Sequence, residues 1–216
     1  PKREEDTEKA FLHMKKGWHP LLSQPVKSSI RADRGILLTG SNASGKSTFL
    51  QLIAGYVLPT EGAVRHFQHD QLVDPDLVYP SISMAAPYLE LIEEFTLRES
   101  IAFHCSFKQL RNGLMPEDVI RIANLSDAAD KVVKYFSSGM KQRVRLALAV
   151  LSDTDVLLLD EPCSNLDREG IRWYQQLIEE HGAGRILVVC SNNIAEEYSF
   201  CDRVLQVTDS KRIIKV

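Results

Sequence analysis

The sequence predicts an α/β protein: a mainly parallel sheet flanked by helices, with a small helical subdomain inserted. Short apolar runs at residues 36–39, 156–159, 186–189 and 204–207 read as buried strands, bounded as they are by turn residues and too short for helices. Helical patterns separate the later runs, and strand alternating with helix favours parallel pairing with helices on both faces. Two of the runs end in chemistry. One runs into a glycine-bearing loop and the other into two adjacent carboxylates.

Each segment follows from its own pattern. Residues 7–16 are polar and read as a helix, closed by Gly17 to Pro20, after which residues 26–30 form a short extended piece. Residues 36–39 make the first buried strand. From Lys46 onward Phe49, Leu50, Leu52, Ile53 and Ala54 recur at helical spacing until Gly55, a suitable stop. Turn chemistry at residues 58–62 precedes a loose apolar alternation over 63–67, read as a strand. Residues 96–136 lack a strong strand pattern and read as the helical insertion, including the piece 117–124.

With 216 residues, the chain has room for one domain spanning residues 1–216, and 44% hydrophobic against 25% charged residues is enough for a core. The net charge of −3 exerts no general pull on nucleic acid or anionic membrane, so no direct nucleic-acid binding is expected. No apolar run approaches the ~18 residues of a spanning helix. The charged start, Pro1 to Asp6, lacks the apolar stretch of a secretory signal, and a cytoplasmic location is expected, peripheral to a membrane only through a partner. Cys105, Cys163, Cys190 and Cys201 fit neither a zinc pattern nor a disulfide framework and are expected as reduced thiols.

Gly40, Ser41, Asn42, Ala43, Ser44, Gly45, Lys46 and Ser47, with Thr48 behind them, fit G-x-x-x-x-G-K-[ST] at every specified position. Phosphates need many backbone N–H donors at close range, which small residues permit, and the following helix turns its positive end on the same anion. Lys46 then adds a point charge for the β and γ phosphates, and Ser47 a hydroxyl for Mg²⁺. A plain Gly/Ser turn explains the glycines but not the strand before and the amphipathic helix after. The expected fold is therefore that of a P-loop NTPase, with ATP and Mg²⁺ as cofactors. At the end of the apolar run 156–159, Asp160 is placed to orient the metal and Glu161 to activate the attacking water. A solvated strand end is the other reading of such a pair, and the phosphate loop weighs against it.

The run Phe136, Ser137, Ser138, Gly139, Met140, Lys141, Gln142, Arg143 resembles the signature of ATP-binding-cassette (ABC) ATPases, L-S-G-G-Q followed by a basic, Gln, Arg run. Ser137, Gly139, Gln142 and Arg143 match, whereas Phe136, Ser138 and Met140 depart. Ser164, Asn165, Leu166 and Asp167 look like the D-loop of that family. The resemblance covers about residues 40–207. It implies ATP binding and hydrolysis by a nucleotide-binding domain, an ATP-dependent homodimer in which Ser137, Ser138 and Gly139 cap the partner's ATP, and coupling to a membrane-embedded transporter subunit. A helix N-cap is the alternative reading of the two serines. The family's Gln before the helical subdomain is missing from Ala85 to Glu90, and Asn192 aligns with its switch His. An amide cannot take a proton, so slow turnover is expected.

Gly35 to Leu50, with His19 to Leu22 before it, looks like the ATPase domain of MutS-type mismatch-repair proteins. A MutS-like DNA-repair ATPase module, or a chimeric ATPase domain joined inside or just after the phosphate-loop helix and without a physiological partner, is the alternative that this resemblance implies. The ABC resemblance implies an aromatic upstream of the phosphate loop that stacks on adenine; Trp18 is the candidate for it, with His19 second, and packing against the N-terminal segment is the equal alternative.

Overall fold

The computed structural model describes residues 10–18, 26–31, 35–39, 45–59, 61–68, 71–192, 194–207 and 213–215. Its first strands are β1 (Ala10–Trp18), β2 (Val26–Arg31) and β3 (Gly35–Thr39), followed by helix α1 (Lys46–Ala54). Next come β4 (Glu61–Gln68), β5 (Gln71–Leu72) and β6 (Ile82–Ala85), then helices α2 (Leu97–Cys105), α3 (Pro116–Ile122) and α4 (Ser138–Leu151). The remainder is β7 (Val156–Asp160), α5 (Arg168–His181), β8 (Ile186–Cys190), β9 (Cys201–Val207) and β10 (Ile213–Lys215).

The central sheet has the order β10-β9-β3-β8-β7-β6, parallel from β9 to β6, with β10 antiparallel at one edge. Parallel strands need long crossovers; helices α2 to α4 supply that from β6 to β7, and α5 that from β7 to β8. β7 and β8 are buried along their whole length, as expected of central strands covered on both faces. The period of two divides their side chains between two cores. Val156 and Leu158 of β7, with Ile186 and Val188 of β8, meet Phe49, Leu50 and Ile53 of α1. Leu157, Leu159, Leu187 and Val189 face the other way, against α4 and α5. Ile101 of α2 and Val119 of α3 join that second core. Gly35 suits a close approach, since a Cβ there would come within 3.1 Å of Cys201 Sγ and 3.2 Å of the Phe200 carbonyl.

α1 stops where its glycine predicts: Gly55 takes φ 75° and its N–H returns to the carbonyls of Gln51 and Leu52. The expected strands near 36, 63, 156, 186 and 204 are present, and residues 26–30 fall within β2. The expected helix over 7–16 is corrected. Residues 10–18 form β1, bonded to β2 on one side and β4 on the other in a second, antiparallel sheet of order β2-β1-β4-β5. Two neighbouring strands satisfy its backbone, and that tertiary pairing outweighs a weak local helix preference. Residues 7–9 of that expectation lie outside the described residues. β6 is an addition that the sequence pattern does not predict.

Candidate functional site

Leu38 pairs with Cys190 and Cys190 with Asp160, so the C-terminal ends of β3, β8 and β7 are level. Ligands of open parallel sheets bind at that edge. Of the expected phosphate loop, Gly40, Ser41, Asn42, Ala43 and Ser44 lie outside the described residues. Gly45 is described, at φ 95°, a left-handed conformation that glycine adopts without steric cost. It opens α1, with its carbonyl accepting from the Phe49 N–H at 2.9 Å.

The first residues of α1 meet the end of β7. Lys46 is buried, and its charge acts on Asp160. Ser47 donates its hydroxyl to the Asp160 carboxylate, while Thr48 beside it is half-buried. Asp160 is itself only 3% exposed. Burial pushes its carboxyl above the usual range and the neighbouring Glu161 adds to this, with Ser47 and Lys46 pulling the other way. Cys190 Sγ lies 3.6 Å from the Lys46 carbonyl, which ties β8 to the helix start.

Glu161 has a left-handed backbone, φ 45°, and its N–H donates to the Cys190 carbonyl at 2.9 Å. Asn192 Nδ2 donates to its side chain. Thus Lys46, Ser47, Asp160, Glu161 and Asn192 gather at one edge of the sheet. Ser137 and Ser138 are exposed at the start of α4, where Ser137 Oγ accepts from the Met140 N–H at 3.2 Å. Gly139 follows, and a Cβ on it would come within 3.1 Å of the Asn165 carbonyl, so this helix start packs against the turn after Glu161. Gln142, fully buried, donates to the Pro162 carbonyl at 2.9 Å. Trp18 ends β1, its backbone opposite Glu61 of β4.

A family model described as ABC transporter matches residues 23–164. The chain belongs to that family. ABC transporter A family member 5 of Dictyostelium discoideum is 29% identical over 206 residues, 93% of this chain but 12% of that protein. The uncharacterized ABC transporter ATP-binding protein YcbN of Bacillus subtilis (strain 168) is 30% identical over 183 residues, 82% of this chain and 58% of YcbN. The chain thus spans only part of these ABC relatives. Among solved structures, an ATP binding subunit of an ABC transporter superposes with a TM-score of 0.78 at 22% identity, covering 97% of this chain and 90% of that one. A bacterial Atm1-family ABC exporter with ATP bound gives 0.75 at 19% identity, covering 99% and 39%. The fold is the ABC form of the P-loop NTPase, and the chain is an ABC nucleotide-binding domain.

The residues that match the ABC model, 23–164, include both 35–50 and the stretch past Gln51, and neither a MutS-type segment nor a chimera is supported. Shared P-loop chemistry accounts for that local likeness. Two residues near the site are invisible to sequence reasoning. Tyr88, 42% exposed, hydrogen-bonds the Gln51 side chain beyond the end of β6, and burial, then the charge of Asp160, raise its phenol. Glu197 is fully buried; burial raises its carboxyl, and the Ser191 hydroxyl and Cys163 N–H counter this. No local pattern marks either, because each acquires its role from loops that meet only in the fold.

Proposed function

We propose that this ABC domain binds ATP with Mg²⁺ at the edge where α1 meets β7, hydrolyses it, and couples closure of paired domains to a membrane-embedded partner. The observation that carries the reading is the contact of Ser47 with Asp160 beside the buried Lys46. A hydroxyl and a carboxylate already in contact are hard oxygen donors of the kind Mg²⁺ takes, and a cation there would relieve the cost of burying Asp160. When bound, Mg²⁺ supplies positive charge to the phosphate oxygens. Residues 40–45 and Thr48 would wrap the phosphates, and Lys46 would hold the β and γ groups. Glu161 accepts a proton from the water that attacks the γ-phosphorus, with ADP as leaving group. Asn192 orients that carboxylate but cannot share the proton, which keeps turnover slow.

Trp18 is proposed to stack on adenine, and Ser137, Ser138 and Gly139 to reach the γ-phosphate of a partner domain. In this reading residues 1–216 act as one ATPase domain, with 96–136 as its helical subdomain. Among the described residues no helix is long and apolar enough to cross a membrane, and in this reading the spanning part belongs to the partner. The partner's place is an aromatic groove: Phe95, Phe103 and Phe107 stack edge to face, with Phe103 47% and Phe107 59% exposed. Exposed apolar patches of this kind mark interaction surfaces.

Lys46→Ala and Glu161→Gln test the reading together. At ~100 times its dissociation constant MgATP adds ~2.7 kcal/mol to a protein that binds it, a readily measured thermal shift. Lys46→Ala should lose that shift. Glu161→Gln should keep it while hydrolysis falls ~10²- to 10⁴-fold. Equal shifts for the wild type and Lys46→Ala, or unchanged hydrolysis in Glu161→Gln, would refute the assignment.

A further inference from the structure

The turn after β7 is an unfavourable piece of backbone. Glu161 and Asn165, neither a glycine, both sit at positive φ, 45° and 62°. Asn tolerates that conformation, but for Glu161 it persists only where the surroundings over-determine it. Two anchors hold this turn: the Glu161 N–H on the Cys190 carbonyl and Gln142 on the Pro162 carbonyl. The third is Glu197, whose Oε1 accepts from the Cys163 N–H at 2.9 Å. The Ser191 hydroxyl lies beside the same carboxylate, one residue before Asn192. Tyr174, fully buried on α5, donates its hydroxyl to the Glu197 carbonyl at 2.8 Å and fixes that residue from behind.

A carboxylate is a costly choice for this position. Glu197 is 0% exposed, its Oε2 is buried without a hydrogen-bond partner, and the charges that face it, Glu161 and Asp160, share its sign. An apolar residue of similar size would fill the space without desolvating a polar group. What the apolar residue would lack is an acceptor reaching from the segment after β8 to the turn after β7.

We propose that Glu197 is a positioning residue, its carboxylate joining the turn that carries Glu161 to the segment that carries Asn192 and thereby setting the contact between those two side chains. The consequence for turnover rests on the ATPase reading above; the consequence for the backbone does not. Glu197→Gln retains the acceptor at Oε1, whereas Glu197→Ala removes it. Amide hydrogen exchange without nucleotide reads the tie directly. In Glu197→Ala the Cys163 amide should exchange about tenfold faster, with the β7 amides unchanged, and Glu197→Gln should stay near the wild type. In hydrolysis assays Glu197→Ala should lose about 10- to 100-fold in kcat at unchanged ATP affinity, and Glu197→Gln should restore most of it. If Glu197→Ala does not fold, Glu197→Leu, bulky, apolar and without an acceptor, takes its place. Unaltered Cys163 exchange in the acceptor-free variant would overturn the proposal. So would a Gln variant as impaired as the Ala variant, or equal losses in kcat and in affinity. A wild type that hydrolyses no ATP would overturn the ATPase reading instead, and the exchange result would still decide the role of Glu197.

Discussion

His104 shows how far burial and a neighbouring charge can move a residue. Its Nε2 lies 2.8 Å from Ser152 Oγ, and burial, with the Lys108 charge next, pulls the imidazole down to about 4. Between pH 4 and 6.5 the unfolded chain therefore binds more protons at this position than the folded one does. Its share of stability is complete above the unfolded value and drains away as pH falls toward the folded one, by at most ~1.4 kcal/mol per pH unit. Urea midpoints at pH 7 and pH 4.5 should thus differ less in His104→Gln, which can still hydrogen-bond Ser152. The same acid loss in both proteins would acquit His104. Lys46, Asp160 and Glu161 are legible in the sequence because their chemistry lies in a contiguous spacing that few other demands produce. Glu197 and Tyr88 are not, since their partners lie on separate segments.

Among helices and strands, the endings are the best explained parts. The carboxylate of Asp167 receives the Gly170 N–H at 2.7 Å and caps α5, whose Trp173, Tyr174, Leu177 and Ile178 are buried against the second core. Asp167→Ala should cost ~1 kcal/mol, within the 0.5–2 range for lost caps, seen as a lower denaturant midpoint at unchanged slope. A midpoint within error of the wild type would mean that packing alone sets this helix start. Glycine makes the start and stop of α1 readable, and continuous apolar runs do the same for β7 and β8. β1 reads wrongly as a helix because its identity depends on partners at residues 26–31 and 61–68. β6 escapes notice because Ile82, Ser83, Met84 and Ala85 form a run too short and mixed to stand out, flanked by Pro80 and Pro87.

For the molecule as a whole, the exposed start of α4 is the surface on which pairing is argued. Its first-turn N–H groups and positive dipole end suit a phosphate carried by a second copy. Sedimentation should show monomers without nucleotide and a dimer of Glu161→Gln with MgATP, where slow hydrolysis cannot dissolve it. Monomers in both conditions at high concentration would count against closure. The strand order has a further implication, for the chain during its synthesis. β3, the strand that leads into the phosphate loop, hydrogen-bonds to β8 and β9, which begin at Ile186 and Cys201. At the ~5–20 residues per second of translation, β3 leaves the ribosome ~7–30 s before its neighbours exist. Over that interval Ile36, Leu37 and Leu38 have no sheet to enter, and they are the apolar surface a chaperone would find on the growing chain.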